Sequence, residues 1–309
     1  MSYSSDIKGA LSKLKTDDFD LDFSELYGMI FGGASFVFRG MGKWGIRITS
    51  TIASVEYRLY TLLKNQYGIQ AEVIQTQNSN FGKTREYQIT IDDPQIVAMI
   101  LRNYGMMDDS GNLISLRIID KDLMHNESEY HAFLRGVLLT CASINDPAKS
   151  FSVEFHFTDN IAAVQFSDFL RDLEIDSKIR ENKNSYVVYV RRSSDVSSLL
   201  FMCGATRYGL AVEERSTVKA MKERMNREHN FDMANFNRSL DAAQQQIDAI
   251  EKIINMRGMS YLSDDLIKTA NLRLDNPDIS LEELSQIAGM SKSTLYKRLR
   301  KIMDISKGL

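Results

Sequence analysis

A helix with one face shaved flat, written twice in the same chain, is the feature that most restricts how this sequence can fold. The stretch EYHAFLRGVLLTCASINDPAKSFS, residues 129–152, sets Phe133, Leu134, Val137, Leu138 and Cys141 at helical spacing. Within it, Gly136 and Ala142 carry almost no side chain and let a second backbone come close. The partner lies upstream: Leu26-Tyr27-Gly28 stands 108 positions before Leu134-Arg135-Gly136, and that helix also ends in small residues, Gly32-Gly33-Ala34-Ser35. A further match pairs Thr49-Ser50-Thr51-Ile52-Ala53-Ser54-Val55 with Thr158-Asp159-Asn160-Ile161-Ala162-Ala163-Val164 at an offset of 109. In each copy the Thr ends a strand, and Ser50 or Asp159 can cap the helix that follows. The pattern predicts two half-domains meeting at a pseudo-twofold axis.

The flanking segments give each half an outline. A short amphipathic helix, Ser5 to Leu14, and the acidic segment Asp17 to Asp22 precede the first flat helix. After Ser35 the expectation is two strands (SFVFR and WGIRIT), a helix from Thr51 to Asn65, a strand near Ile69 to Thr76, a polar turn, the strand EYQITI and a helix from Gln95 to Asn103. The second copy repeats this with FSVEFHF, a helix from Asp159 to Leu173, KIREN, SYVVYV and a helix near Val196 to Met202. Only one strand can be named between its first two helices. The implied class is α+β, a duplicated αββαββα arrangement over residues 1–112 and 113–213.

Beyond Glu213 the texture changes to long helix. Two linker helices over 214–258 are expected, with the break between them placed at the polar cluster Asn226, Asn230, Asn235, Asn237 and Arg238. An all-α domain over 259–309 follows, with helices Asp264 to Leu274, Ser280 to Ala288 and Ser291 to Met303 capped by Ser263, Ser280 and Ser291. Within it, Leu281, Leu284, Ile287 and Ala288 make an inner face, Gly289 allows a left-handed turn, and Leu295, Leu299 and Ile302 are the buried side of the last helix. This is a helix-turn-helix pattern. Its exposed side offers Lys292, Ser293, Thr294, Tyr296, Lys297, Arg298, Arg300 and Lys301, donors suited to phosphates and base edges in a major groove. A three-helix protein-binding module with a solvated basic face is the alternative. Arg215, Lys219, Lys222 and Arg227 are candidate phosphate contacts on the preceding helix, against a solvated face interleaved with Glu223 and Glu228.

Charge restricts where such binding can occur. A net charge of −3 across 309 residues excludes coating nucleic acid with the whole surface and confines contact to a local patch. No apolar run reaches the roughly 18 residues of a membrane span, and Met1 to Leu14 lacks signal-peptide blocks, so the expectation is a cytoplasmic protein that does not enter membranes. Cys141 and Cys203 are then expected as reduced core thiols. The four histidines do not fall at zinc-ligand spacing with either cysteine, and no phosphate-binding glycine loop occurs, so no cofactor is expected.

The two flat helices resemble the LAGLIDADG motif of homing endonucleases, in which each helix delivers one carboxylate to divalent metals at the axis. The resemblance places those carboxylates five residues after the motif's first glycine, which here means Gly33 and Cys141. Neither has the side-chain oxygen that a hard cation needs. The chain as a whole is similar to the WhiA family, through HAFLRGVLLTCASINDPAKSF, RMNREHNFDMANFNRSLDAAQQQIDAI and the segment Leu272 to Ile302. That resemblance implies a degenerate LAGLIDADG-like domain without nuclease activity, tethered to a DNA-binding domain. It also implies a nucleoid-associated role in transcription, cell division, chromosome segregation or sporulation, with double-stranded DNA as partner and other transcription or division proteins as further candidates. Two rival readings stay open: a metal-dependent endonuclease using other carboxylates, and a protein or ligand docking platform built on strands that mix Glu72 and Glu154 with Arg47, His156 and Lys178.

Overall fold

The computed structural model describes residues 2–40, 43–78, 84–183 and 185–309. They form two compact units, Met1–Val218 and Lys219–Leu309. In the first, α1 (Tyr3–Leu11) leads to α2 (Phe19–Gly33), β1 (Ala34–Gly40), β2 (Lys43–Ser50), α3 (Ala53–Tyr67), β3 (Val73–Asn78), β4 (Thr84–Ile91) and α4 (Pro94–Asn103). The second copy runs α5 (Glu127–Cys141), β5 (Ala142–Ile144), β6 (Val153–Phe157), α6 (Asn160–Asp172), β7 (Lys178–Asn182), β8 (Ser185–Val190) and α7 (Ser193–Met202). Each half carries one antiparallel four-stranded sheet, in the orders β1-β2-β4-β3 and β5-β6-β8-β7. Identical order in both sheets makes the duplication visible at the level of topology.

The strand that the sequence did not reveal is β5. It is three residues long and follows α5 with no intervening breaker, so Ala142 opens a strand instead of extending the helix's flat face. The polar turn expected between β3 and β4 falls at 79–83, outside the described residues. Capping also differs from expectation in one half. Asp159 caps α6 by accepting from the Ala162 N–H, but the N-cap of α3 is Ile52, and Ser50 accepts from the Ile52 N–H one step before the helix starts.

The flat faces of α2 and α5 pack against each other with near-perfect reciprocity. A β-carbon on Gly28 would stand 2.0 Å from the Phe133 carbonyl oxygen, and one on Gly136 would stand 2.1 Å from that of Glu25. Adding 108 to the α2 residue and subtracting 108 from the α5 residue turns one pair into the other, which is what a twofold axis between the helices requires. Leu26, Met29 and Ile30 from α2 and Leu134, Val137 and Leu138 from α5 are fully buried in one apolar cluster that takes in both sheets. The halves therefore share a core. Across the axis, Glu25, completely buried, accepts from Arg58 on α3 at 2.8 and 3.0 Å and from Arg135 on α5 at 2.8 and 3.1 Å.

A single helix, α8 (Thr206–Arg257), replaces the two linker helices expected over 214–258. The asparagine cluster does not break it, because no proline or glycine lies between Gly209 and Gly258, and asparagine costs a helix only a fraction of a kcal/mol. Polar residues there bond along the helix instead: Arg224 to Glu228 at 3.0 Å and Arg238 to Asn235 at 3.1 Å. After a turn at Gly258, α9 (Asp264–Asp275), α10 (Leu281–Ile287) and α11 (Lys292–Lys307) enclose a second core of Ile250, Ile253, Leu266, Ala270, Leu284, Leu295, Leu299 and Ile302.

Candidate nucleic-acid interface

The geometry of the last three helices is set by local chemistry that the sequence announces. Ser280 forms a full capping box with Glu283 at the start of α10, and the Ser280 N–H, with its side chain, holds the Glu283 carboxyl below its ordinary range. Gly289, at φ +63°, makes the left-handed turn out of α10, and Ser291 caps α11 by accepting from the Thr294 N–H. Arg273 is buried in the turn between α9 and α10, where its guanidinium donates to the carbonyls of Asn276 and Ile279 at 3.1 and 2.9 Å. Burial lowers its pKa. Neutralising those carbonyls fixes the angle at which α10 leaves α9.

On α11, Leu295, Leu299 and Ile302 face the core, so at 100° per residue the line opposite them carries Ser293, Lys297 and Arg300. Thr294 and Lys301 flank that line on one side and Tyr296, half exposed, on the other. Lys297, Arg300 and Lys301 are exposed, with no ion pair among the described residues. Two of the predicted contacts stand apart from them. Lys292 pairs with Glu282 on α10 at 2.5 Å, and Arg298 pairs with Asp265 on α9 at 3.0 Å. Both flank the buried side of the helix and brace it against its neighbours.

Along α8, Arg215, Lys219, Lys222 and Arg227 are all exposed. Helical geometry puts the first three along one side and turns Arg227 about a quarter-turn or more away from them.

The end of the flat helices, where the resemblance locates metal chemistry, has another occupant. Gly33 and Cys141 are the last residues of α2 and α5. Beside them Arg117, from the connector between the halves, donates to the Ile30, Phe31 and Ala34 carbonyls, at 3.2 and 2.7 Å for the first two. Its guanidinium lies 5.1 Å from the centre of the Phe36 ring and 3.7 Å from the Asp159 carboxylate. Burial pushes the Cys141 thiol up to about 12, even with Lys8 and Arg117 opposing that shift. A protonated thiol, a glycine and two nearby cations do not fit a divalent metal. Among the described residues no group of three His, Cys, Asp or Glu side chains is placed to hold one. Arg117 carried no sequence signal, because its partners are main-chain carbonyls that any residues could supply.

Comparison with known proteins decides the family. Three family models match: the WhiA N-terminal LAGLIDADG-like domain over residues 21–107, the WhiA LAGLIDADG-like domain over 130–222, and the WhiA C-terminal HTH domain over 225–306. The probable cell division protein WhiA of Thermoanaerobacter sp. (strain X514) is 32% identical over 313 residues, covering 100% of this chain and 98% of that protein. The chain belongs to the WhiA family. A second WhiA relative, a probable cell division protein of Alkaliphilus metalliredigens, is 30% identical and covers 99% of this chain and 98% of its own length. The crystal structure of full-length DUF199/WhiA from Thermatoga maritima matches 100% of this chain and 99% of its own at 23% identity with a TM-score of 0.57, which supports the WhiA fold.

Proposed function

We propose that this protein is a DNA-binding transcription regulator in which α11 enters the major groove and the duplicated domain is a non-catalytic scaffold. The observation that carries this is the outer line of α11, where Ser293, Lys297 and Arg300 stand exposed between Thr294, Lys301 and Tyr296. Lys292 and Arg298 hold that line in place through their ion pairs, and Arg215, Lys219, Lys222 and Arg227 are auxiliary phosphate contacts. The relatives' description as probable cell division proteins supports a role in cell division; we propose that this role extends to chromosome segregation or sporulation and that the protein sits on the nucleoid, in the cytoplasm. No described helix is long and apolar enough to cross a membrane.

The scaffold reading rests on the end of α2 and α5, where Gly33, Cys141 and Arg117 take the place of metal ligands. The strand faces favour docking over DNA contact: Glu154 on β6 lies 3.7 and 4.0 Å from Arg180 and Arg191, and so offsets part of the positive charge a phosphate backbone needs. Fluorescence anisotropy of the full chain on duplex DNA across a salt series tests the proposal. It predicts affinity that falls linearly in log–log form with salt, by roughly one unit of slope per phosphate neutralised. The absence of any salt-sensitive binding, or plasmid cleavage with magnesium or manganese, would contradict it.

A further inference from the structure

A groove in the first unit, away from the α2–α5 axis, has the chemistry of an anion site. It is enclosed by α1, the first turn of α3, the start of β4 and the start of α8, with a volume of about 1330 Å³. Three cations line it: Lys13 after α1, Arg85 on β4 and Arg207 on α8. All three are exposed, and none has an ion-pair partner among the described residues. Asp6 is the one carboxylate among the lining residues, so the groove keeps a positive balance.

Aromatic rings form the rest of its chemistry. Tyr3, Tyr87 and Tyr208 line it, with Tyr3 and Tyr208 edge to face at 5.7 Å. The Tyr3 hydroxyl oxygen is shut off from solvent and has no hydrogen-bond partner among the described residues. The first turn of α3 also opens here, through Thr51, Ile52, Ala53 and Ser54, and no side chain caps it. A helix start donates to anions through its free N–H groups. In the other copy, Asp159 already fills that role for α6. Three cations and three tyrosines lining one groove suit a ligand that carries both phosphates and a planar base.

We propose that this groove binds a small nucleotide carrying at least two phosphates, held by Lys13, Arg85 and Arg207 with its base against the tyrosines. The site shares no residue with α11, so it gives the scaffold a ligand of its own and stands or falls independently of DNA binding. Isothermal titration of the full chain with inorganic pyrophosphate, with ADP, GDP, CDP and UDP in turn, with adenosine and with a ten-residue oligothymidylate tests it. At least one diphosphate should bind at least about tenfold more tightly than adenosine, with pyrophosphate also binding. The double variant Arg85→Ala, Arg207→Ala should weaken that binding at least about tenfold with an unchanged thermal melt, since both side chains are exposed and have no ion-pair partner among the described residues. The variant Lys297→Ala, Arg300→Ala should bind the diphosphate as the parent does. Overturning results are no binding of pyrophosphate or any diphosphate, binding that ignores the Arg85 and Arg207 changes, or oligothymidylate binding with that residue dependence while the diphosphates do not bind.

Discussion

The carbonyl end of α2 and the outer line of α11 use basic residues in opposite ways. Arg117 turns its guanidinium inward onto three main-chain carbonyls, and Arg58 and Arg135 spend theirs on the buried Glu25. Lys297 and Arg300 on α11 point outward with no ion-pair partner among the described residues. A buried cation with satisfied donors has become structure, whereas an exposed unpaired one is available to a polyanion. Under the proposed function, the difference separates the scaffold from the DNA-binding surface within one chain.

The sharpest way to break the first side of that contrast is at the helix crossing. Gly28→Val would drive a side chain into the Phe133 carbonyl, which stands 2.0 Å from where even a β-carbon would sit. Backbone cannot yield there as a flexible side chain would, so circular dichroism should show loss of cooperative folding, a cost above about 3 kcal/mol. A variant that melts like the parent would mean that the helices do not pack as described. Next in size is Glu25→Ala, which leaves Arg135 buried without its carboxylate and strips Arg58 of its bidentate partner. A loss of about 3–5 kcal/mol in urea denaturation is expected.

Glu56 probes the same interior with pH. It is 1% exposed, neither carboxylate oxygen has a side-chain partner among the described residues, and burial raises its pKa from 4.5 to about 8. Between those values the folded state holds a proton that the unfolded state releases, so stability falls as pH rises, by up to roughly 1.4 kcal/mol per unit. Below 4.5 and above about 8 the contribution is flat. Glu56→Gln should remove this slope and gain stability at pH 7, by up to roughly 3 kcal/mol. Parallel stability curves for parent and variant between pH 5 and 8 would contradict the buried, unpaired carboxylate.

Much of this arrangement was legible in the sequence, for reasons that particular residues make clear. Gly28 and Gly136 announced the close crossing because only glycine tolerates it, and KIREN and SYVVYV matched β7 and β8 residue for residue. Ser280, Gly289 and Ser291 located the helix-turn-helix because caps and left-handed turns act within four residues. Features that depend on distant chain were not legible. The ties of Lys292 to Glu282 and Arg298 to Asp265 join separate helices, and Arg117 reaches back to carbonyls more than eighty positions earlier. Asparagine density masks the continuity of α8 without interrupting it, because only proline or glycine forces a break in a helix.

The central claim is that DNA is held by the outward line of α11 and not by its braced flanks. Anisotropy titration of one labelled duplex, at two salt concentrations, against Lys297→Ala with Arg300→Ala and, separately, Lys292→Ala tests it most directly. The double variant should lose about tenfold to a hundredfold in affinity with a salt slope shallower by about two, while Lys292→Ala, whose ammonium is already paired with Glu282, changes affinity by less than about threefold. Equal losses in the two proteins, or none in the double variant, would contradict the account.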